Sequence, residues 1–149
     1  CANACGILND FLEDDELVPT VSGRMSSGGF RFDIDTAFGP KCITVNNSQI
    51  EIDAAYEGIH YLSLFEAKRD LSDDFLIRQL YYPFRVWSGR VTKTVKPVFL
   101  IFSNGVFNLY QYQFENPQNY NHVEAESTYL RRSSTVIGWI NWILGLIEE

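Results

Sequence analysis

The chain has few of the residue types that build disulfide frameworks or zinc sites. Its 149 residues include three cysteines, Cys1, Cys5 and Cys42, an odd number with no C-x-x-C spacing. The two histidines, His60 and His122, lie far from them in sequence. These counts indicate neither a disulfide framework nor a zinc site. No apolar stretch reaches the roughly 20 residues that a membrane-spanning helix needs. We expect no membrane partner and a cytoplasmic location.

Positive charge is also scarce. Lys and Arg number 12 against 19 Asp and Glu, which leaves a formal net charge of -7. A protein that holds nucleic acid by bulk electrostatics has the opposite sign, so any DNA partner must be bound locally. Four basic residues near one another in sequence could contact phosphates or simply form a solvated helix end and loop: Arg85, Arg90, Lys93 and Lys96.

Length and composition predict one domain with a substantial core. The length is that of an ordinary domain, and 46% of the residues are hydrophobic, with 11 Phe, 8 Tyr and 3 Trp. We interpret residues 1–149 as a single domain, with a core at about 8–114 and a C-terminal docking helix at about 135–149. Because the numbering opens on Cys1 rather than Met, we expect a piece excised from a longer chain.

Hydrophobic periodicity predicts an α/β fold in which a central mixed sheet of about five strands is flanked by helices. A first helix is expected over Leu8–Val18, and a second after Ser72, its N-cap, with a kink at Pro83. Strands are expected around residues 30–34, 43–45, 50–52, 61–68, 98–102 and 106–114. Turns at 46–48 and 103–105 predict hairpins, and residues 115–134 read as an exposed connection.

One group of residues could carry chemistry. Residues two apart in a strand face the same side, so Glu66 and Lys68 project together. If the strand that ends at Asp53 pairs with this strand, Asp53 lies beside Glu66. Two adjacent carboxylates repel each other, and Mg2+ relieves the repulsion while keeping several waters. Asp53 and Glu66 are therefore the expected ligands of Mg2+, for which Mn2+ could substitute, and the metal with Lys68 would promote phosphodiester hydrolysis.

These residues resemble the restriction-endonuclease-like nuclease superfamily, the PD-(D/E)XK nucleases, whose pattern is Asp, a spacer, then Glu-x-Lys on the next strand. Asp53, Glu66 and Lys68 match it, and Ile52 stands where the family has its nominal Pro. The resemblance covers about residues 8–114 as an order of elements: an upstream helix, a hairpin entering the Asp strand and a helix after the Lys. It implies a restriction-endonuclease-like core and a metal-dependent endodeoxyribonuclease of restriction or defence, acting on double-stranded DNA.

The resemblance also implies helper residues. Gln79 and Tyr82, on the helix after the Lys, look like the Gln and Tyr that some members place beside the Lys to orient phosphate or water. An acid of the first helix joins the metal shell in some members, and Glu13 and Glu16 both qualify. Glu51 competes with Asp53 for the position of the motif acid, because residues two apart share a strand face. Which of these acids assists the metal stays open.

The interpretation leaves the assembly and two alternatives open. The nuclease could act as a homodimer, since two strands need two sites, or with a missing DNA-recognition domain. The first alternative is a catalytically inactive module of the same fold that binds DNA or a protein. The second is an interaction module in which the apolar tail, Thr135–Glu149, docks a partner, and the Glu66 and Lys68 pair is a surface ion pair worth little.

Overall fold

A computed structural model describes residues 2–69, 76–103, 106–121 and 123–130, and these form a mixed α/β fold. The elements in chain order are α1 (Ala2–Leu12), β1 (Val18–Pro19), β2 (Gly23–Ser26), β3 (Gly29–Thr36), β4 (Gly39–Asn46), β5 (Gln49–Ile52), β6 (Ala54–Glu57), β7 (Tyr61–Arg69), α2 (Arg78–Ser88), β8 (Thr94–Ser103), β9 (Val106–Phe114) and β10 (Val123–Leu130). A six-stranded sheet has the order β1-β6-β7-β8-β9-β10. Because β1 has only two residues, the body of the sheet consists of the five longer strands. The predicted mixed α/β class with about five central strands is therefore confirmed.

Strand β7 is the centre of this sheet. It pairs antiparallel with β6 and parallel with β8, whereas β8, β9 and β10 follow one another antiparallel. A parallel pair needs a crossover connection, which contains α2. Residues Leu62 to Ala67 of β7 are all buried, as expected for a strand covered on both faces.

The two faces of the sheet carry different helices. On one face, Leu8 and Leu12 of α1 pack in a cluster with Phe65 and Ala67 of β7. On the other face, Leu62 and Leu64 of β7 belong to a second cluster with α2 residues Tyr81 and Phe84. Side chains alternate along a strand, so Glu66 and Lys68 emerge on the α2 face. Along the parts of the chain described, neither helix is long and apolar enough to cross a membrane.

Residues 23–52 form one long β-hairpin, which we call the arm. Strand β3 pairs with β4 and β2 pairs with β5 in the same register, with Ala37 and Phe38 at the tip. Two backbone bonds bridge the break between these pairs: Ser27 N–H to the Ser48 carbonyl, 2.8 Å, and Asn47 N–H to the Gly28 carbonyl, 2.9 Å. The hairpin expected at 46–48 is therefore wrong, because the two strands that flank it pair with other strands.

Other boundaries also differ from the sequence-based expectations. The helix expected over Leu8–Val18 instead ends at Leu12, because Glu13 and Glu16 adopt left-handed backbone with φ of 53° and 54°. Helix α2 has Ile77 as its N-cap and begins at Arg78, whereas Ser72 lies outside the described residues. The β8–β9 hairpin is confirmed. Part of the expected connection at 115–134 is a strand, β10, which pairs with β9. The expected docking helix at 135–149 lies outside the described residues.

Asp14 ties the end of α1 to the turn between β6 and β7. Its carboxylate is buried and accepts the backbone N–H groups of Asp15, His60 and Tyr61 at 2.9 to 3.2 Å. Burial alone would raise the pKa of Asp14, but these hydrogen bonds outweigh it and hold the pKa below its ordinary value. Gly58 lies directly against this carboxylate. The contact fixes one end of the two strands that carry the candidate site.

Candidate functional site

A cleft of about 420 Å³ opens on the α2 face of the sheet, where β5, β7 and the first turn of α2 meet. All four residues predicted from the sequence line it: Asp53, Glu66, Lys68 and Gln79. Asp53 comes from the junction of β5 and β6, Glu66 and Lys68 from β7, and Gln79 from α2. The structure thus brings these four side chains to one cleft, while their catalytic roles stay predictions.

Asp53 is held beside β7 by two backbone contacts. Its own N–H donates to the Phe65 carbonyl at 3.2 Å, and its Oδ2 accepts the Ala67 N–H at 2.7 Å. The next residue, Ala54, is already paired with Phe65 in the β6–β7 ladder. The carboxylate therefore lies alongside the Glu66-Ala67 step, which is the proximity expected if the two strands pair.

Glu66 and Lys68 form an ion pair on the cleft wall. The Lys68 Nζ lies 3.2 Å from Glu66 Oε1, and the two side chains are 36% and 8% exposed, respectively. The pKa of Glu66 is raised to about 7, mainly by burial and to a smaller extent by the charge of the neighbouring Asp53. Glu66 is therefore a carboxyl group poised to bind or release a proton near neutral pH.

The two carboxyl groups are strongly coupled. Burial raises the pKa of Asp53 as well, and the charge of Glu51 adds to the increase. The hydrogen bond from Ala67 and the positive charge of Lys68 act in the opposite direction. Glu66 and Asp53 also hydrogen-bond each other, an interaction that favours a proton on Glu66 and the charged form of Asp53. Of the two, Glu66 is the group that keeps its proton more readily, since two like charges this close do not readily coexist.

Gln79 brings an amide to the opposite wall of the cleft. Its Oε1 is buried, and no hydrogen-bond partner for it lies among the described residues. A buried carbonyl without a partner costs about 1–3 kcal/mol, so this oxygen is an acceptor that a bound molecule could satisfy. Arg78 and Tyr82, its neighbours on α2, also line the cleft.

The three candidate assisting acids are placed differently. Glu51 lines the cleft, whereas Glu13 and Glu16 are exposed in the turn after α1 and are not among the lining residues. In the ranges that the structure describes, no three His, Cys, Asp or Glu side chains form a metal-binding group. The acid-rich part of the site therefore consists of Asp53 and Glu66, with Glu51 nearby.

The four basic residues that the sequence placed near one another do not form a common patch. The Lys96 Nζ is buried, donates to the Leu12 carbonyl at 2.8 Å and lies over the Tyr61 ring. The other three have different partners: Arg85 donates to the Arg31 carbonyl, Lys93 pairs with Glu57 and Arg90 lies over Trp87. Arg90 and Lys93 line a second cleft together, away from Arg85 and Lys96. The cleft contains Arg78 instead, which sequence reasoning missed. The sequence feature that could have identified Arg78 is its position directly before Gln79 on α2.

Comparisons with known proteins give a family but no activity. A family model described as Domain of unknown function (DUF6997) matches residues 1–129, most of the chain. A second, Domain of unknown function (DUF7226), matches residues 112–148 and overlaps the first. No curated protein and no solved structure matches the chain. The function therefore has to be argued from the cleft.

Proposed function

We propose that this chain, which belongs to the DUF6997 family, is a Mg2+-dependent endodeoxyribonuclease with a restriction-endonuclease-like core. The observation that carries the proposal is the meeting of Asp53, Glu66 and Lys68 at one cleft. A buried and a half-buried carboxyl group lie side by side at this cleft, and burial raises the pKa of both acids, a combination typical of functional sites. Their order along the chain also matches the nuclease pattern.

The donor set fits a hard divalent cation. Asp53 and Glu66 would hold it through carboxylate oxygens, the ligand type that Mg2+ prefers, with waters completing the shell. Two protein carboxylates are enough for such a site, so the lack of a third ligand among the described residues agrees with this donor set. When bound, the metal would acidify a water and offset the charge that builds up on the scissile phosphate.

The remaining residues would orient the reaction. Lys68 presents a half-buried ammonium beside Glu66, from where its donors would orient the attacking water and stabilise the pentavalent phosphorus. Gln79 has a buried amide oxygen with no partner among the described residues, and this oxygen would accept a hydrogen bond from that water. Hydrolysis would form one P–O bond to the water oxygen and break one P–O ester bond. Duplex DNA is proposed as the substrate on the resemblance alone.

One observation favours a second candidate function, a module of the same fold that binds DNA or a protein without cutting. The Lys68 ammonium already offsets the charge of the Glu66 carboxylate. A carboxyl pair in which one group keeps its proton is stable without a cation. This candidate predicts that neither Mg2+ nor Mn2+ binds at the cleft.

Calorimetric titration of Mg2+ and Mn2+, followed by incubation with supercoiled plasmid, tests the proposal. The wild-type chain, D53A and E66Q are compared with D10A, which removes an exposed carboxylate of α1. We expect D10A to bind metal and nick plasmid like the wild type, while D53A and E66Q lose both properties together. Absence of both in the wild type would reject the metal site and support the inactive module, whereas metal binding without nicking would keep the metal site and reject cleavage of plasmid DNA by this chain alone.

A further inference from the structure

We propose that Arg78 holds the phosphate next to the scissile one, so that the cleft recognises a polynucleotide strand rather than an isolated phosphodiester. This inference rests on the proposed nuclease function and adds a residue that the nuclease pattern does not contain. Arg78 lies on the cleft wall at the start of α2, beside Gln79. Its role would be binding, with no part in the chemical step.

The charges around the cleft distinguish Arg78 from the other cation there. Three acids line it, Glu51, Asp53 and Glu66, against two cations, Lys68 and Arg78. The Lys68 ammonium is already 3.2 Å from a Glu66 oxygen. Arg78 is exposed and has no salt bridge within the part of the chain that the structure describes. It is therefore the cation on this wall that an incoming phosphate can engage without breaking an ion pair.

The arm holds Arg78 in position through Tyr82. The Arg78 guanidinium lies over the Tyr82 ring, 5.9 Å from its centroid and one helical turn away. Tyr82 in turn packs edge-on against Phe30 and Phe32 of the arm, with centroid distances of 5.2 and 5.9 Å. A guanidinium resting on a fixed ring loses little side-chain entropy when it binds. Its planar donors match two phosphate oxygens at once.

A substrate with one phosphate separates this role from a role in catalysis. Bis(p-nitrophenyl) phosphate contains the bond to be hydrolysed but no neighbouring phosphate. If Arg78 binds the adjacent phosphate, its loss weakens turnover of a DNA duplex and leaves hydrolysis of this ester unchanged. A residue that acts on the scissile phosphate, or that supports the fold, would affect both substrates.

The experiment compares the wild type, R78A and R78K with R90A, a matched exposed arginine beyond α2. Steady-state rates are measured with Mn2+ on a duplex oligonucleotide and on bis(p-nitrophenyl) phosphate. For R78A we expect the KM for duplex to rise about 10-fold, the effect of one charge-assisted hydrogen bond, with kcat within about 2-fold. The salt dependence of duplex binding should become shallower by about 0.9 in log-log slope. R78K should restore part of the affinity, and R90A should match the wild type.

Two results would overturn the inference while leaving the nuclease function intact. One is an R78A variant whose KM and salt slope for duplex equal those of an active wild type. The other is an equal loss on both substrates. If the wild type hydrolyses neither substrate, the proposed function falls and the role of Arg78 falls with it. Thermal unfolding of each variant checks folding, and R78Q replaces R78A if the alanine lowers the melting temperature.

Discussion

The Oδ2 atom of Asp53 accepts the backbone N–H of Ala67 at 2.7 Å, which places the Asp53 carboxylate beside the residue between Glu66 and Lys68. A D53N variant can keep this hydrogen bond through its amide oxygen while removing the charge. We expect the pKa of Glu66 to fall below about 7, because the repulsion from Asp53 is lost. It should stay above its ordinary value, since burial is the larger cause. Carboxyl-carbon NMR titration measures the shift, and an unchanged Glu66 pKa would contradict the coupling.

The raised pKa of Glu66 makes stability depend on pH. The folded protein holds the Glu66 proton up to about pH 7, whereas the unfolded chain releases it near 4.5. Between these values the folded state binds more protons, so the free energy of unfolding decreases as pH rises. From pH 5 to 8, we expect the free energy of unfolding to fall by on the order of 1–3 kcal/mol more in the wild type than in E66Q. Urea unfolding at pH 5 to 8 without divalent metal compares them, and parallel profiles would refute the prediction.

Removing Lys68 should separate metal binding from catalysis. K68A removes a positive charge beside the carboxyl pair, so Mn2+ should bind at least as tightly as it does to the wild type. Plasmid nicking should nevertheless fall by about 100-fold or more, because the group proposed to orient the attacking water is lost. The control is K41A, an exposed lysine on the arm, which should nick normally. Weaker metal binding by K68A, or full nicking activity, would count against the assigned role.

Replacing Gln79 should have opposite effects on stability and on activity. Q79M keeps the length of the side chain and removes the buried oxygen that has no described partner. The melting temperature should stay level or rise, since a desolvation cost of about 1–3 kcal/mol is relieved. Nicking should decrease if this oxygen positions the attacking water. A variant that loses stability together with activity would instead make Gln79 a structural residue.

Gly58 should be intolerant of any side chain. A Cβ atom there would overlap the Asp14 carboxylate, which is held by three backbone N–H groups and cannot move without breaking those bonds. We expect G58A to lower the free energy of unfolding by roughly 1–3 kcal/mol. The matched control is G6A in α1, where nothing lies within 4 Å and alanine should stabilise the helix by about 0.5–1 kcal/mol. Equal melting temperatures for the two variants would refute the contact.

The candidate site was predictable from the sequence because its geometry is local. Two-residue periodicity puts Glu66 and Lys68 on one strand face, and the break before β6 puts Asp53 at the adjoining strand end. Gln79 follows from the amphipathic pattern of α2. Arg78 was missed because a charged residue at the start of a helix is normally solvated. Its proposed role depends on the Tyr82 ring beneath it, which tertiary contacts with Phe30 and Phe32 hold in place.

The arm and the last strand were not predictable, because pairing partners are chosen in three dimensions. The Asn46-Asn47-Ser48 sequence looks like a hairpin turn, yet it faces Ser27 and Gly28 across the arm, where the ladder is interrupted. Residues 123–130 follow an Asn-rich stretch that is typical of a connection, but the free edge of β9 offers backbone groups for them to pair with. Local propensity carries no information about such an edge.

The parallel pairing of β7 with β8 also determines when the site can assemble during synthesis. Asp53, Glu66, Lys68 and Gln79 all precede β8, which begins at Thr94. Apart from a bridge between Asp33 and Asn119, the strands of the arm pair with one another, and the arm can close from its own turn as soon as it emerges from the ribosome. Strand β7, in contrast, lacks one of its two neighbours until β8 has been made. A nascent chain therefore carries all four site residues before it has the sheet that brings them together.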